Sequence, residues 1–306
     1  MRTVTASAPG KLLLLGDHAV VYGFPCIVTA VDQRMLVTVG ESNSESISFD
    51  VGQSDTKFLE ASVVVAKKHW GDISHISVQT KSEFSQKIGL GSSAAVTVAF
   101  LFALATYLGK PLPLMDLFRM AYEAVLDVQG VGSGFDVAVA AYGGTIQYIK
   151  GGKAFTPIDA GSLPLIVGYT GVKADTATIV RDVKKKYEEN KEKVTRIFEA
   201  IGGLVDQAVP RFAEKDWERI GKFMDFDQEY LRDLGVSSQK LESLIVSAKQ
   251  AGALGAKLSG AGGGDCMVAL FEPKKKKSIE DAIIKSGGEV LSLRIHAEGV
   301  RLETSV

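Results

Sequence analysis

The stretch KIGLGSSAA, residues 87–95, is the part of this 306-residue sequence that decides its fold. Glycines and serines stand directly before the apolar run at residues 96–108, which predicts a buried helix. Glycine turns let backbone N–H groups converge on an anion, and the N-terminus of a helix adds a favourable dipole. The hydroxyls of Ser92 and Ser93 can reach a phosphate oxygen or a hydrated Mg²⁺. The stretch therefore predicts a phosphate-binding loop, most readily for a nucleotide.

Two other interpretations of this stretch are open. Gly89, Gly91 and Ala94 fit the dinucleotide-binding pattern G-x-G-x-x-G/A, which requires a preceding strand and an acidic residue about 20 positions later. Residues 84–87 are a poor strand, and no acidic residue stands at the right distance. The other interpretation is a helix start that binds nothing. A P-loop fold is disfavoured because the sequence G-x-x-x-x-G-K-[ST] does not occur.

The composition is that of a folded protein of a reducing compartment. Hydrophobic residues make up 46% of the chain and charged residues 23%, and these fractions are typical of a globular domain with a core. The net charge of −1 argues against wholesale binding to nucleic acid or to a membrane surface. Two cysteines are too few for a disulfide framework, and the four histidines have no metal-ligand spacing. We expect a cytoplasmic protein without a signal peptide or a membrane span.

Three more segments carry glycines together with charged residues: APGKLLLLGDHAVVYG at 8–23, QGVGSGFDVA at 129–138 and KLSGAGGGDC at 257–266. Lys11 beside an acceptor hydroxyl could lower the pKa of that hydroxyl and stabilise a transferring phosphoryl group. Asp136 could accept a proton from the hydroxyl, or it could simply cap the following helix. Glu123, on the preceding helix, could offer a carboxylate to Mg²⁺. Each of these residues, taken alone, also fits an ordinary structural role.

Hydrophobic periodicity predicts a mixed chain of the α+β class. Strands are predicted at residues 4–8, 12–16, 26–30 and 35–39, and helices at residues 94–108 and 114–126. The composition changes after the glycine turn at residues 151–153. The region 175–209 is predicted to be mostly helical and to stop at Pro210. The alternation that follows indicates an antiparallel sheet packed on helices.

Taken together and in this order, the four glycine-containing segments resemble the GHMP kinase superfamily, which includes galactokinase, homoserine kinase, mevalonate kinase and phosphomevalonate kinase. The resemblance covers nearly the whole chain. It implies a GHMP kinase fold with an ATP-binding N-terminal domain similar to ribosomal protein S5 domain 2, residues 1–160. It also implies a ferredoxin-like C-terminal domain, residues 161–306, with the active site between the two.

The resemblance further implies ATP and Mg²⁺ as cofactors and a role for each matching residue. The implied ATP and phosphate ligands are Lys87, Gly89, Leu90, Gly91, Ser92, Ser93 and Ala94. The implied Mg²⁺ ligands are Ser93 and Glu123. Asp136 would act as a base or orient the acceptor hydroxyl, and Lys11 would assist it. The implied substrate-binding residues are Lys11, Asp17, His18, Asp136, Thr176, Gly260, Ala261 and Gly262.

Within the superfamily, GDHAVVYG at residues 16–23 looks like the G-E-H-A-V-V-Y-G of mevalonate kinases, with Asp17 where glutamate is usual. This favours phosphorylation of the 5-hydroxyl of (R)-mevalonate to 5-phosphomevalonate, in the mevalonate pathway of isoprenoid biosynthesis. Lys87 and the segments 132–137 and 262–266 look more like phosphomevalonate kinases, which form 5-diphosphomevalonate. A non-catalytic nucleotide sensor is disfavoured because the residues for acceptor activation are retained. The partner is then a small molecule, and a homodimer is compatible with the resemblance.

Overall fold

Two β-sheets organise the part of the chain that the computed structural model describes, residues 2–51, 55–84, 88–161 and 163–303. The strands are β1 Thr3–Leu15, β2 Pro25–Glu41, β3 Ser48–Asp50, β4 Ile76–Ser82, β5 Thr145–Ile149, β6 Ala154–Ile158, β7 Leu165–Tyr169, β8 Gly255–Ser259, β9 Cys266–Leu270, β10 Glu289–Leu291 and β11 Arg301–Glu303. The α-helices are α1 Lys57–Trp70, α2 Ser92–Tyr107, α3 Leu114–Gln129, α4 Phe135–Tyr142, α5 Thr176–Glu189, α6 Lys191–Glu214, α7 Trp217–Asp233, α8 Gln239–Gln250 and α9 Lys276–Lys285. Lys87, a predicted phosphate ligand, lies outside the described residues.

The first sheet is built on the long antiparallel pair β1 and β2 and has the order β11-β1-β2-β4-β3. Strand β5 also pairs with β2, and β6 pairs with β5. The prediction of two short strands in each of these regions is wrong, because each region forms one long strand. The register between β1 and β2 shifts at Pro9/Gly10 and again at Leu13/Leu15. A bulge of this kind bends a strand without ending the ladder of hydrogen bonds.

Helix α2 is the central helix against the first sheet and contacts β1, β2 and α3. Its residues are apolar around the whole circumference, and Val98, Phe100 and Leu101 are fully buried. A helix that is apolar on every face is stable only when it is enclosed by other elements. This burial fixes the N-terminus of α2, which directly follows the glycine–serine stretch.

The second sheet has the antiparallel order β10-β7-β9-β8 and packs on helices, as the sequence pattern predicts. The predicted helical region before it consists of α5 and α6, which meet at Asn190. The predicted stop at Pro210 is wrong, because α6 continues to Glu214. Proline removes one helical hydrogen bond, but Ala208 and Phe212 on either side are buried and hold the last turn of the helix in place.

The C-terminal segment returns to the first sheet. Strand β11 pairs with β1, and Ile295 and Glu298 form bridges with Val31 and Gly143. The buried Arg34 side chain donates hydrogen bonds to the carbonyl oxygens of Glu298 and Gly299, at 2.9 and 2.6 Å. The predicted domain boundary at residue 160 stays a prediction. Strand β11, although it lies in the predicted C-terminal domain, pairs with β1 of the first sheet. No helix in the described residues is both long and apolar enough to cross a membrane.

Candidate active site

Lys11, on β1, is hydrogen-bonded to the candidate phosphate loop through its backbone and its side chain. Its backbone N–H donates to the carbonyl of Leu90 at 2.8 Å, and its Nζ donates to the carbonyl of Gly89, also at 2.8 Å. A Cβ added to Gly91 would lie 3.0 Å from Lys11 Cγ, so the lysine stem runs directly beneath this glycine. Lys11 is only 9% exposed. The sequence therefore folds so that one lysine of β1 fixes three consecutive residues of the loop.

The loop itself ends at the N-terminus of α2. Gly89 and Gly91 have φ values of +74° and +81°, in the left-handed region that glycine adopts without a steric penalty. Leu90 and Ala94 are almost fully buried, so they can offer only their main chain to a ligand. The half-buried Ser92 and Ser93 form the start of the helix. Their hydroxyls and the helix dipole together suit an anion such as a phosphate group.

Asp136 lies in the first turn of α4, behind the left-handed Gly134. Gly134 occupies the cap position, and Asp136 Oδ1 accepts a hydrogen bond from the N–H of Val137 at 3.0 Å. Burial raises the pKa of Asp136, and the positive charge of Lys11 acts in the opposite direction. Lys11 Nζ also lies 5.8 Å from the ring centroid of the adjacent Phe135. The structure thus brings the two predicted catalytic groups, Lys11 and Asp136, to one place.

The glycine-rich loop at residues 260–264 covers the same region from the second sheet. A Cβ on Gly260 would lie 4.0 Å from Lys11 Nζ. The ring of His18 forms a hydrogen bond between Nε2 and the carbonyl oxygen of Ala261 at 2.9 Å. His18 is buried and has a left-handed φ of +59°, and burial lowers the pKa of its ring. His18 therefore holds this loop, of which Gly262 is also part, through its ring nitrogen.

Asp17 is engaged inside the protein, and its predicted contact with substrate stays a prediction. Its side chain is fully buried. Oδ1 accepts a hydrogen bond from the N–H of Gly260 at 2.6 Å, and Oδ2 accepts one from Nζ of Lys257 at 2.5 Å. Both carboxylate oxygens are consequently engaged inside the protein. Asp17 positions the start of the glycine-rich loop.

Lys257 and Asp227 complete a buried ionic cluster with Asp17. Lys257 Nζ lies 3.6 Å from Asp227 Oδ2, which also accepts a hydrogen bond from the N–H of Gly16 at 3.3 Å. Asp227 Oδ1 is buried, and no hydrogen-bond partner for it exists among the residues described. Burial raises the pKa of Asp227, with Lys257 acting against this shift and Asp17 adding to it. Sequence reasoning missed this cluster, although a lysine inside the apolar strand β8 is an available signal.

Glu123 and Thr176 are not brought to Lys11 and Asp136. Glu123 forms an exposed ion pair with Lys68 of α1, at 2.8 Å between Oε1 and Nζ. Among the residues placed by the structure, Glu123 has no bond to the loop at 88–94, so its predicted role as an Mg²⁺ ligand lacks support. Thr176 is the exposed first residue of α5. Its predicted contact with substrate stays a prediction.

Asp265 is a further residue at this place that sequence reasoning did not single out. It follows the glycine-rich loop directly, and its carboxylate lies against Gly89. The neighbouring thiol of Cys266 donates to the carbonyl of Ile88 at 3.2 Å. Asp265, directly before β9, and Cys266, the first residue of β9, therefore both contact the candidate phosphate loop. The available signal is an aspartate directly after three glycines.

Replacing Gly89 by alanine is expected to weaken ATP binding by about tenfold or more, which corresponds to about 1.4 kcal/mol or above. The new Cβ would lie 2.4 Å from Asp265 Oδ2 and would adopt a left-handed φ. Titration of ATP into the purified variant measures the change. Gly109→Ala at the other end of α2 is the matched control, since Gly109 also has a positive φ but has nothing within 4 Å of its Cβ position. Equal ATP affinities of both variants and the unmodified protein would remove this loop from nucleotide binding.

Comparison with known proteins places this arrangement among small-molecule kinases. The sequence profile of the GHMP kinases N terminal domain matches residues 57–144, and that of the GHMP kinases C terminal domain matches residues 208–289. A mevalonate kinase of Pyrococcus abyssi (strain GE5 / Orsay) is 36% identical, over 99% of this chain and 98% of the relative.

Solved structures show the same fold. L. major mevalonate kinase in complex with R-mevalonate has a TM-score of 0.82 and 26% identity, and the similarity covers 96% of each chain. Streptococcus pneumoniae phosphomevalonate kinase in complex with phosphomevalonate and AMPPNP also has a TM-score of 0.82, at 19% identity, covering 96% of this chain and 100% of that one. The second similarity shows the fold alone.

Proposed function

The chain belongs to the mevalonate kinase family of the GHMP kinases, and on this premise we propose that it transfers the γ-phosphoryl group of ATP to the 5-hydroxyl of (R)-mevalonate, giving 5-phosphomevalonate. The predicted GHMP kinase fold is confirmed, and so are enzymatic activity and a small-molecule substrate. The observation that carries the proposal is the position of Lys11, which is bonded to the candidate phosphate loop and interacts electrostatically with Asp136. One lysine can then act on both partners of the transfer.

On the nucleotide side, the fold supplies a rigid anion site. Main-chain groups of residues 89–91 and the dipole of α2 converge where the triphosphate would bind. Phosphoryl transfer has a loose transition state, so catalysis depends mainly on positioning and on neutralising charge. Burial of α2 and the bonds from Lys11 hold the loop in place before ATP binds. This preorganisation avoids a rearrangement during the reaction.

On the acceptor side, Asp136 is the candidate base and Lys11 the candidate electrostatic partner. A carboxylate whose pKa is raised by burial is a better proton acceptor than an ordinary aspartate. The charge of Lys11 acts against this rise in the pKa of Asp136 and adds positive charge beside the transferring group. His18 and Asp17 hold the loop at residues 260–262, which would form the wall against which the acceptor lies.

Mg²⁺ would neutralise charge on the ATP phosphates. The hydroxyls of Ser92 and Ser93 are hard oxygen donors at the start of α2, and they suit this ion. Within the described ranges, no group of three or more His, Cys, Asp or Glu side chains could hold a metal by itself. Protein sites for Mg²⁺ in nucleotide enzymes commonly use one or two carboxylates together with substrate phosphates. We propose Ser93 as one ligand of this ion.

The proposed location follows from composition, and the proposed assembly follows from the family. The low net charge and the reduced cysteines support a cytoplasmic enzyme that binds neither nucleic acid nor membranes. A homodimer is proposed from the family resemblance alone. Sedimentation or light scattering of the purified chain would measure the oligomeric state.

The activity is tested by ADP release from Mg-ATP in a coupled assay with (R)-mevalonate, galactose and homoserine in parallel. We expect turnover with mevalonate alone. Turnover with galactose or homoserine instead would contradict the proposed acceptor. ATP binding without turnover on any acceptor would favour a nucleotide sensor.

A further inference from the structure

Asp265 has a backbone conformation that few residues other than glycine adopt. Its φ is +55°, in the left-handed region, where aspartate and asparagine are the most tolerated side-chain-bearing residues. Three hydrogen bonds hold it there. Its N–H donates to the carbonyl of Val172 at 2.7 Å, its carbonyl accepts from the N–H of Thr170 at 2.9 Å, and Oδ1 accepts from the N–H of Ala174 at 3.0 Å. The carboxylate is therefore aimed by the surrounding backbone.

The carboxylate of Asp265 points toward the candidate phosphate loop. A Cβ on Gly89 would lie 2.4 Å from Asp265 Oδ2, 2.6 Å from Cγ and 2.8 Å from Cβ. The whole side chain thus lies across Gly89, and the absence of a side chain at this glycine makes the contact possible. Lys11 reaches the same glycine from the other side, through the bond from Nζ to the Gly89 carbonyl. Burial raises the pKa of Asp265, while Lys11 and Lys173 lower it.

A carboxylate in this position conflicts with a bare triphosphate. Oxygen atoms of ATP bound at residues 89–93 would meet a like charge at Asp265 Oδ2, in a half-buried place where water screens charges poorly. A divalent cation between the two would turn this repulsion into attraction. Glu123, the carboxylate predicted for that purpose, forms an exposed ion pair with Lys68 of α1.

We propose that Asp265 supplies the carboxylate oxygen that binds the divalent cation of Mg-ATP, together with the serine hydroxyls at the start of α2. The proposal rests on the proposed ATP-dependent function, and it adds a residue from the C-terminal half of the chain to the nucleotide site. ATP would then bind together with its metal ion. Asp265 would make the site prefer Mg-ATP to free ATP.

The test is the dissociation constant of ATP, measured by calorimetric titration with excess Mg²⁺ and again with EDTA. For the unmodified protein we expect Mg²⁺ to strengthen binding. For Asp265→Asn we expect binding of Mg-ATP about tenfold weaker and binding of metal-free ATP unchanged or tighter, so the preference for Mg-ATP largely disappears. Asparagine keeps an oxygen for the Ala174 N–H and tolerates a positive φ. Asp265→Gly, which also removes the carboxylate without backbone strain, should behave in the same way.

Glu123→Gln is the matched control and should keep the full preference for Mg-ATP. An equal loss of affinity with and without Mg²⁺ in both Asp265 variants would show a purely structural contact and overturn the proposal. Loss of the Mg²⁺ preference in Glu123→Gln instead would return the metal to Glu123. Failure of the unmodified protein to bind ATP under either condition would count against the proposed function itself.

Discussion

Asp136→Asn is expected to lower kcat with mevalonate by about 10²–10⁴-fold, the range typical of a lost general base. The amide cannot take the proton of the acceptor hydroxyl, and the substitution removes the negative charge that interacts electrostatically with Lys11. The amide oxygen can still accept the hydrogen bond from the Val137 N–H, so α4 should keep its start. Steady-state kinetics of the purified variant measure the effect. The Kd for ATP should change by less than about threefold, since Asp136 lies on the acceptor side.

Asp116→Asn is the matched control, because Asp116 also lies in the first turn of a helix but is exposed and paired with Arg119. It should leave kcat unchanged. The acid limb of kcat/KM in the unmodified enzyme should lie above the range of an ordinary aspartate, because burial raises the pKa of Asp136 and only the ionised form accepts a proton. An unchanged kcat in Asp136→Asn would remove this residue from the mechanism.

Lys257→Met is expected to destabilise the protein by about 3–5 kcal/mol, the usual cost of removing one partner of a buried ion pair. The substitution leaves the buried carboxylates of Asp17 and Asp227 without their common cation. Asp17 also loses the partner that fixes its position, so its hydrogen bond to the N–H of Gly260 is weakened. Chemical denaturation followed by circular dichroism measures the free energy of unfolding.

Lys277→Met tests whether the effect comes from burial. Lys277 forms an ion pair with Asp281 at 2.8 Å on the exposed face of α9, where its side chain is 80% exposed. We expect no measurable change in the midpoint of denaturation for this control. A midpoint of Lys257→Met equal to that of the control would show that the cluster contributes nothing to stability. Failure of Lys257→Met to accumulate as folded protein, with a normal control, agrees with the expected loss.

The candidate phosphate loop could be identified from sequence because its determinants are local. Gly89, Gly91, Ser92 and Ser93 stand within five residues, and the helix that they begin is apolar on all its faces. The turn, the dipole and the hydroxyls are properties of that short stretch. The same reasoning located Asp136 behind its glycines. What local sequence could not give is the distance between the loop and Asp136, which depends on the packing of α2 and α4 against β1.

The features of the site that the sequence did not reveal arise from contacts between residues far apart in the chain. The internal bonds of Asp17 are hidden because its partner, Lys257, lies 240 positions later in an apolar strand. Glu123 has no sequence neighbour that reveals its pairing with Lys68 of another helix. The role of Asp265 is not evident from the sequence. The glycines before it already suggest a ligand contact by themselves, so they draw attention away from the aspartate. Pairing of this kind is a property of tertiary structure, so it becomes visible only when the two sheets are seen together.

The most direct test of the proposed activity is a comparison of kcat/KM for (R)-mevalonate and (R)-5-phosphomevalonate, measured by ADP release under the same conditions. The proposal predicts turnover of mevalonate, with kcat/KM for phosphomevalonate at background. Turnover of phosphomevalonate alone would contradict it, and would mean that Lys87 and the segments 132–137 and 262–266 indicate the acceptor better than the GDHAVVYG segment does.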